Sequence, residues 1–550
     1  MKYNKLILTL VLAIFTLVFF VVGCGNDETP ETDVPATATP APTDPADDED
    51  AEETPPAQAD YSERVSIEWV VWGDTAHPDF SECEFMLMWE EMFNVDIEMV
   101  GLPYDQWTSS LRIWANAGDL PDVAQFSYNH VDGAMWAEQG LVKRMPDTWR
   151  ASWPNLASAY DRTVIGDVLD ATFGGTYFLP RPIFNENQPV YPLVSHQGIY
   201  FRRDWLEAVG APIQPTYTLD EFMEIARAIQ EQDPGNLGDR MTVIHNDAGG
   251  LAWIFVYPMS TYSMNASEFF KGDDGQFHWG PAQPETLEGL RFFQQAWDEG
   301  LLHPEFFAVS GHQDEFIVAG NVGIIQAPGM AVVANRFGNN FREHQDLEPE
   351  EWLHFAFIVQ QDGVFTGPEA PNFWGALIMN PNIDDVKFER VMDILDFSST
   401  TEGQNIIRMG IPEVDWTFDD DDQLMNLLPE GGNVLDLHTS VRPFWHNLYI
   451  VSDDFGLINP AFPQIYRDMA FNAYVERIES ASPTSIGRID WDIWFFDSDA
   501  RRRATVNLAD EYTELILAPG DIEDKWNAWV EERMVTIQPV LDELNAAFGS

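Results

Sequence analysis

The stretch 65–126 alternates between strand-like and helix-like segments, and this order restricts the fold more than any other feature of the sequence. Its first segment, VSIEWVVWG (65–73), has the alternation and the Val, Ile and Trp content of a strand. A helix-like segment, EFMLMWEEMFNV (84–95), precedes a second strand-like one, VDIEMVGLP (95–103). A further helix that ends near Gly118 then leads to a third strand. Crossover helices of this kind join parallel strands, so we predict an α/β fold.

Three later segments have the patterns of helices. In TYTLDEFMEIARAIQEQDP, Thr218 is followed three residues later by Glu221, as in a capping box. PETLEGLRFFQQAWDEG is predicted to end at Gly300, and a long C-terminal helix begins near Asp521. The residues predicted to be buried on the first and last of these helices are Phe222, Ile225, Ala226, Ile229, Trp526, Trp529, Val530, Ile537, Leu541 and Leu544.

Composition limits the size and the surface of the folded part. About 490 residues follow Asp60 and 45% of the chain is hydrophobic, so we expect two lobes with separate cores. This part has 27 basic and 79 acidic side chains, a net charge of −52, and it suits salty or alkaline surroundings. Such a surface repels polyanions at long range, and we predict no nucleic-acid partner.

The N-terminus has the layout of an export signal. Two lysines precede an apolar run, 6–22, which is also close to the shortest stretch that spans a bilayer. The run ends in VVGC, which resembles a bacterial lipobox, and this resemblance implies cleavage and acylation of Cys24. An uncleaved membrane anchor is the alternative. Cys83 is then left without a partner for an intramolecular disulfide.

The stretch 25–60 has twelve Asp or Glu, seven Pro and no Lys or Arg. It cannot bury enough apolar surface to fold, and its like charges and prolines keep it extended. We therefore predict a disordered tether between Cys24 and the folded part.

Seven short segments follow one another across nearly all of the folded part. They are AGDLPDVA (117–124), GGTYFLP (174–180), IYFRRDWLEAVG (199–210), TLDEFMEIARAI (218–229), WDEGLLHPEFF (297–307), TTEGQNIIRMGI (400–411) and DIEDKWNAWVEE (521–532). In this order they resemble the extracellular solute-binding lipoproteins of bacterial ABC importers, the large oligosaccharide-binding type.

The resemblance implies a periplasmic-binding-protein-like clamshell, in which two α/β lobes joined by hinge strands close on a sugar. After a signal peptide at 1–23 and a tether at 24–60, lobe 1 would take 61–185 with about 376–440, and lobe 2 would take 186–375 with about 441–550. It further implies a monomer without a cofactor, lipid-anchored on the outer face of the cell membrane. Such a protein captures an oligosaccharide and delivers it to the permease subunits of an importer.

Similar proteins often carry a calcium loop directly after the capping-box helix. Here that place reads DPGNLGDR (233–240), with Gly235 and Leu237 where oxygen ligands are expected. Calcium takes six to eight oxygens, so we predict no metal site. The run DDDD (419–422) predicts a solvated loop, and GDDG (272–275) predicts a hairpin turn.

Common catalytic motifs are missing from the sequence. It has no G-x-S-x-G, no H-E-x-x-H, no phosphate-binding glycine loop and no C-x-x-C, and we predict no catalytic residue. Two suitably placed carboxylates among the 91 acids would nevertheless suffice for a glycosidase. A surface-anchored carbohydrate-active enzyme is therefore the alternative function, and an adhesin is a further one.

The candidate ligand residues follow strands or lie where the family's chain passes between the lobes. Ligands of α/β lobes bind at the carboxyl ends of strands, and aromatic rings stack on the apolar faces of sugars. The candidates are Trp72, Asp74, His77, Tyr128, Asn129, Tyr177, Arg181, Trp253, Gln326, Asn372, Trp374, Arg442 and Trp445. For each aromatic residue, packing in the core is the alternative. The negative charge favours a neutral or sparsely acidic oligosaccharide, although Arg181 and Arg442 leave a single uronate carboxylate open.

Overall fold

The computed structural model describes residues 61–72, 83–102, 106–182, 196–246, 269–304, 306, 313–369, 371–429, 432, 434–437, 448, 459–504 and 506–549. The predicted signal peptide, Cys24 and the tether lie outside these residues. Within the described part, no helix has both the length and the apolar composition needed to cross a membrane.

The described residues form sixteen strands and twenty α-helices, in an alternating order. The strands are β1 Val65–Trp72, β2 Val95–Leu102, β3 Val123–Phe126, β4 Leu179–Pro182, β5 Gln197–Arg202, β6 Thr216–Thr218, β7 Thr242–Asn246, β8 Phe269–Lys271, β9 Phe277–Trp279, β10 Val322–Pro328, β11 Leu353–Val359, β12 Phe365–Pro368, β13 Phe373–Met379, β14 Trp416–Phe418, β15 Leu424–Asn426 and β16 Ala481–Gly487. The helices are α1 Glu84–Phe93, α2 Trp107–Ala117, α3 His130–Gln139, α4 Trp149–Ser152, α5 Pro154–Tyr160, α6 Val164–Phe173, α7 Arg203–Val209, α8 Leu219–Gln232, α9 Pro284–Asp298, α10 Gln313–Ala319, α11 Ala331–Gln345, α12 Pro349–Trp352, α13 Asp385–Ser398, α14 Thr401–Met409, α15 Val434–Leu437, α16 Gln464–Ser480, α17 Trp491–Trp494, α18 Asp499–Arg503, α19 Leu508–Leu517 and α20 Ile522–Phe548.

The lobe 1 sheet has the strand order β2-β1-β3-β13-β4. Its first three strands are parallel, as the sequence predicts, and β13 runs antiparallel to β3 and β4. Successive side chains of a strand point to opposite faces. Trp69 accordingly packs in the core that includes α1 and α13, whereas Val70 packs in the core that includes α2, α3 and α6. Lobe 1 is therefore a sheet covered by helices on both faces.

The lobe 2 sheet has the strand order β6-β11-β5-β10-β7. One face packs against α8, α9 and α20, and the other against α11 and α16. The predicted capping box of α8 is confirmed, because Thr218 Oγ1 accepts from Glu221 N at 3.3 Å and the Glu221 carboxylate accepts from Thr218 N at 2.8 Å. The residues predicted to be buried on α8 and α20 are buried, except for Val530, which is half-buried and packs against the lobe 2 core.

Two predicted turns are also confirmed. The strands β8 and β9 form a hairpin in which Gly275 N donates to Gly272 O at 2.9 Å. The four residues Asp419, Asp420, Asp421 and Asp422 are exposed between the paired strands β14 and β15.

The chain passes from the lobe 2 sheet to the lobe 1 sheet between β11 and β13. Along this passage β12 pairs in parallel with β16, and the short helix α17 follows β16. Ile493 of α17 belongs to a lobe 2 core, while Trp491 and Trp494 pack against a lobe 1 core. The two-lobed α/β architecture is therefore confirmed, and the residue boundaries of the lobes stay a prediction.

Candidate ligand-binding site

The parallel strands β1 and β3 end at the same edge of the lobe 1 sheet, which is the edge where ligands of α/β folds bind. Directly after β3, the half-buried ring of Tyr128 lies 5.7 Å from the ring of Phe126 and 5.2 Å from that of Phe178. The end of β3 therefore delivers a partly accessible aromatic ring to the predicted binding edge.

Tyr128 is one member of a connected group of rings that we call the aromatic edge. Each ring of the group has a neighbour in the group at a centroid distance of 4.8–6.3 Å. Its members are Tyr128, His130, Phe173, Tyr177, Phe178, Phe373, Trp491, Trp494 and Phe495. Phe178 and Phe373 are buried, and the other members are half-buried, so the group has an apolar floor and a partly accessible rim.

Helix α17 supplies two tryptophans to this edge that were not predicted from the sequence. Trp491 and Trp494 lie three residues apart, their ring centroids are 4.8 Å apart, and Trp494 lies 5.7 Å from Phe373. Asp490 caps the helix by accepting from Ile493 N at 3.1 Å. The guanidinium of Arg501 donates to the carbonyls of Ile493 and Phe496, which fixes the end of the helix. The signal that was available is the i, i+3 spacing of two Trp, which places both on one helical face.

The predicted ligand residue Asn129 caps helix α3. Its Oδ1 accepts from Asp132 N at 2.9 Å, and its Nδ2 donates to Asp132 Oδ2 at 2.7 Å. Asp132 is only 4% exposed, and Arg112 Nε compensates its charge by donating to Oδ2 at 2.7 Å. These contacts fix the first turn of α3 and thereby the residues on either side of Asn129.

Gly133, in the first turn of α3, allows the Tyr128 ring to lie directly against the helix. A Cβ atom at this position would be 2.8 Å from Tyr128 Cε2, closer than carbon atoms approach. A larger side chain at 133 would therefore displace the ring.

His130 is the polar member of the aromatic edge. Its Nδ1 lies 3.3 Å from the Tyr128 hydroxyl, and its ring lies 4.9 Å from that of Phe495. Burial lowers the pKa of His130 to about 4, with Arg501 and Arg502 acting in the same direction and Asp497 against it. The imidazole is therefore neutral at neutral pH, and the edge offers ring faces and uncharged hydrogen-bonding groups.

Three other predicted residues occupy lobe 1. Tyr177 belongs to the aromatic edge, with its ring 6.3 Å from Phe173. Asn372, just before β13, donates from Nδ2 to the Arg162 carbonyl at 2.6 Å. Arg181 lies in β4, is 3% exposed, and has its pKa lowered to about 9 by burial.

A bulge interrupts β13 beside the aromatic edge. The pairing of β13 with β4 shifts register between Phe373 and Ala376, and Gly375 has a φ of 67°. Bulges often occur next to binding sites, where they redirect side chains. The predicted residue Trp374 lies in this bulge.

The predicted lobe 2 residue Gln326 lies near the carboxyl end of β10. It is 4% exposed, and its Nε2 donates to Gln197 Oε1 at 2.6 Å. Arg477 Nη2 in turn donates to the Gln197 carbonyl at 2.6 Å. Gln326 is therefore held in a buried polar network at the corresponding edge of the lobe 2 sheet.

The remaining predicted residues lie outside the described part of the chain. This holds for the side chains of Trp72 and Trp374, whose backbones are in β1 and β13, and for all atoms of six residues. These six are Cys24, Asp74, His77, Trp253, Arg442 and Trp445.

Solved structures share this fold. FusA of S. pneumoniae in complex with kestose superimposes with a TM-score of 0.65, covering 87% of this chain and 97% of that one at 15% identity. A FusA EF-hand mutant with fructo-nystose gives 0.62 over 88% and 98% at 15% identity, and the alginate-binding protein AlgQ2 without calcium ion gives 0.62 over 88% and 98% at 14% identity. These likenesses confirm the predicted periplasmic-binding-protein-like fold.

Three curated relatives match parts of the sequence. They are the fructooligosaccharide ABC transporter substrate-binding protein FusA of Streptococcus pneumoniae serotype 4 (21% identity over 36% of this chain), the polygalacturonan/rhamnogalacturonan-binding protein YtcQ of Bacillus subtilis (24% over 43%) and the lipoprotein LipO of Bacillus subtilis (28% over 44%). The matches span 39%, 44% and 45% of the lengths of these relatives.

The family match covers a longer stretch of the sequence than the match to any of these three relatives. Residues 73–364, more than half of the 550 residues, match the bacterial extracellular solute-binding proteins. This stretch includes β3 with Tyr128 and β10 with Gln326. The chain belongs to the bacterial extracellular solute-binding protein family.

Proposed function

We propose that this chain captures a neutral oligosaccharide outside the cell and delivers it to the permease subunits of an ABC importer. The observation that carries the proposal is the aromatic edge, a half-buried group of rings that extends from the carboxyl end of β3 in a solute-binding fold. The C–H faces of a sugar stack on the rings of Tyr177, Trp491 and Trp494. The sugar hydroxyls bond to the Tyr128 hydroxyl and the neutral imidazole of His130.

Charge supports a neutral ligand over a polyuronate. The relatives bind both classes, because FusA is a fructooligosaccharide-binding protein and YtcQ a polygalacturonan-binding one. Arg181, one of two cations that the sequence offers to a carboxylate, is 3% exposed. The net charge of −52 in the folded part repels polyanions as they approach. We therefore propose that Arg181 does not bind a carboxylate of the ligand, and that Trp72 and Trp374 are further residues that stack on the sugar.

A ligand screen tests this function. The melting temperature of the purified chain is measured with neutral xylo-, manno- and gluco-oligosaccharides and with polyuronates, and bound sugar is recovered and analysed. A ligand at 100 times its Kd adds ~2.7 kcal/mol to stability, so binding is readily detected. We expect stabilisation by one neutral class and recovery of that sugar unchanged in stoichiometric amount. Stabilisation by polyuronates alone would contradict the assignment of ligand, and turnover would point to a carbohydrate-active enzyme.

A lipid anchor at Cys24 would hold the protein, as a monomer, on the outer face of the cell membrane. It is supported by the apolar run that ends in VVGC and by the name of the relative LipO, a lipoprotein. Stable anchoring takes more than one acyl chain, which a diacylglyceryl group with an N-acyl chain would provide. Cys24→Ser removes the thiol that carries the lipid, so we expect an uncut precursor or a released protein. Normal processing and full partition with membranes in this variant would contradict the anchor.

A further inference from the structure

The loop between α8 and β7 directly follows the capping-box helix, where the resemblance described above implies a calcium loop, and its residues do not fit the ion. Solved relatives include a FusA EF-hand mutant and AlgQ2 without calcium ion. A twelve-residue calcium loop takes side-chain oxygens at its first, third, fifth and twelfth positions. Counted from Asp233, the third, fifth and twelfth residues carry no side-chain oxygen. They are Gly235, Leu237 and Ile244.

The one carboxylate left at a ligand position, that of Asp233, is used by the backbone of the loop. Its Oδ1 accepts from Leu237 N at 2.8 Å, and its Oδ2 accepts from Gly238 N at 2.8 Å. Asn236 N donates to the Asp233 carbonyl at 2.8 Å and closes the turn. These bonds to two amides lower the pKa of Asp233, so the carboxylate is ionised over the neutral range.

Apolar packing fills the rest of the loop. Leu237 packs against the lobe 2 core, and Ile244 is fully buried in β7. A Cβ at Gly235 would lie 2.7 Å from Trp205 Cζ2, so the backbone runs directly against the indole. A side chain that packs on the core cannot donate an oxygen to a cation. The described residues contain no group of three or more His, Cys, Asp or Glu that could hold a metal ion.

We propose that Asp233 takes the place of a bound cation, holding the loop closed through the amides of Leu237 and Gly238, so that lobe 2 folds independently of calcium. Asp233 is thus a positioning residue for the loop that leads into β7. Asp239, exposed in the same loop, provides a matched control because it is also acidic but is not bonded to these amides.

The test uses the full chain and no sugar, so its outcome does not depend on the proposed ligand. Melting temperatures are measured in calcium, in magnesium at the same ionic strength and in chelator, for the native chain and for Asp233→Ala, Asp233→Asn and Asp239→Ala. We expect equal melting temperatures of the native chain in calcium and magnesium, because both ions only screen the acidic surface. Asp233→Ala should melt below Asp239→Ala in every buffer, with Asp233→Asn between them because its amide keeps one acceptor oxygen.

Two results would overturn the proposal. One is saturable calcium binding by calorimetry, near one ion per chain and lost in Asp233→Asn, with a melting temperature raised more by calcium than by magnesium. The other is a melting temperature of Asp233→Ala equal to that of Asp239→Ala. If Asp233→Ala cannot be recovered folded, the Asn variant and the calcium titration of the native chain decide the question.

Discussion

The binding edges of the two lobes are built from different chemistry on similar sheets. The aromatic edge of lobe 1 extends from the carboxyl end of β3 and combines six half-buried aromatic rings with a neutral histidine. Near the carboxyl end of β10 in lobe 2, the buried amide of Gln326 donates to the half-buried Gln197, whose carbonyl accepts from Arg477. Ring faces provide contact area with little directional demand, whereas buried amides fix direction and tolerate little change. We infer that lobe 1 supplies affinity through stacking and that lobe 2 supplies a rigid wall.

The largest effect is expected from Trp494→Ala. The substitution removes the ring that joins Phe373 and Trp491 in the aromatic edge. Loss of a central aromatic anchor costs about 2 kcal/mol or more, roughly 30-fold in Kd. Calorimetry with the oligosaccharide found by the screen measures the loss. Phe418→Ala, which truncates a half-exposed ring on the β14–β15 hairpin, is the control and should bind normally. Equal affinities of the two variants for the oligosaccharide would show that the aromatic edge is not part of the binding site.

A smaller effect, on stability, is expected from Gln326→Leu in lobe 2. The variant removes the bond from Gln326 Nε2 to the half-buried Gln197, and the loss of one such hydrogen bond costs about 0.5–1.5 kcal/mol. The double variant with Gln197→Leu removes both partners and should recover most of this loss. Urea unfolding of the three chains measures the difference. A single variant as stable as the native chain would show that lobe 2 has no rigid amide wall.

Gly133→Ala should weaken sugar binding several-fold without destabilising the chain. Alanine favours a helix over glycine by roughly 0.5–1 kcal/mol, but its Cβ would displace the Tyr128 ring. Calorimetry and thermal unfolding are measured together. Unchanged affinity in this variant would place Tyr128 outside the binding surface.

The smallest effect is expected in the pH dependence of stability. The folded pKa of His130 is lowered to about 4, below its unfolded value of about 6.5. Between these values the unfolded chain holds a proton that the folded chain lacks, so His130 makes stability fall as the pH falls through this window. His130→Gln should therefore reduce the slope of unfolding free energy against pH near pH 5, by at most about 1.4 kcal/mol per pH unit. The pKa of His354 is likewise lowered to about 4. Its contribution to the slope of unfolding free energy against pH should therefore remain in His130→Gln. An unchanged slope in His130→Gln would show that the imidazole is not buried in neutral form.

The elements of the fold could be predicted because their signals are local. Thr218 and Glu221 stand three residues apart, and the alternation of β1 is contained in eight residues. The aromatic edge could not be predicted in full, because Trp494 and Phe373 are far apart in the sequence and are in contact only in the folded chain, in which β16 pairs with β12. A lone WDIW segment shows that two rings share a face, but not which lobe they meet. The helix cap at Asn129 was not predicted, although its spacing to Asp132 is typical of one; its role as a ligand residue stays a prediction.

A crystal structure of the chain with the oligosaccharide that stabilises it most tests the central claim most directly. We predict sugar rings in van der Waals contact, about 4 Å, with Tyr177, Trp491 and Trp494, and sugar hydroxyls bonded to Tyr128 and His130. A ligand bound elsewhere, or held by arginine through a carboxylate with the aromatic edge unoccupied, would contradict the account.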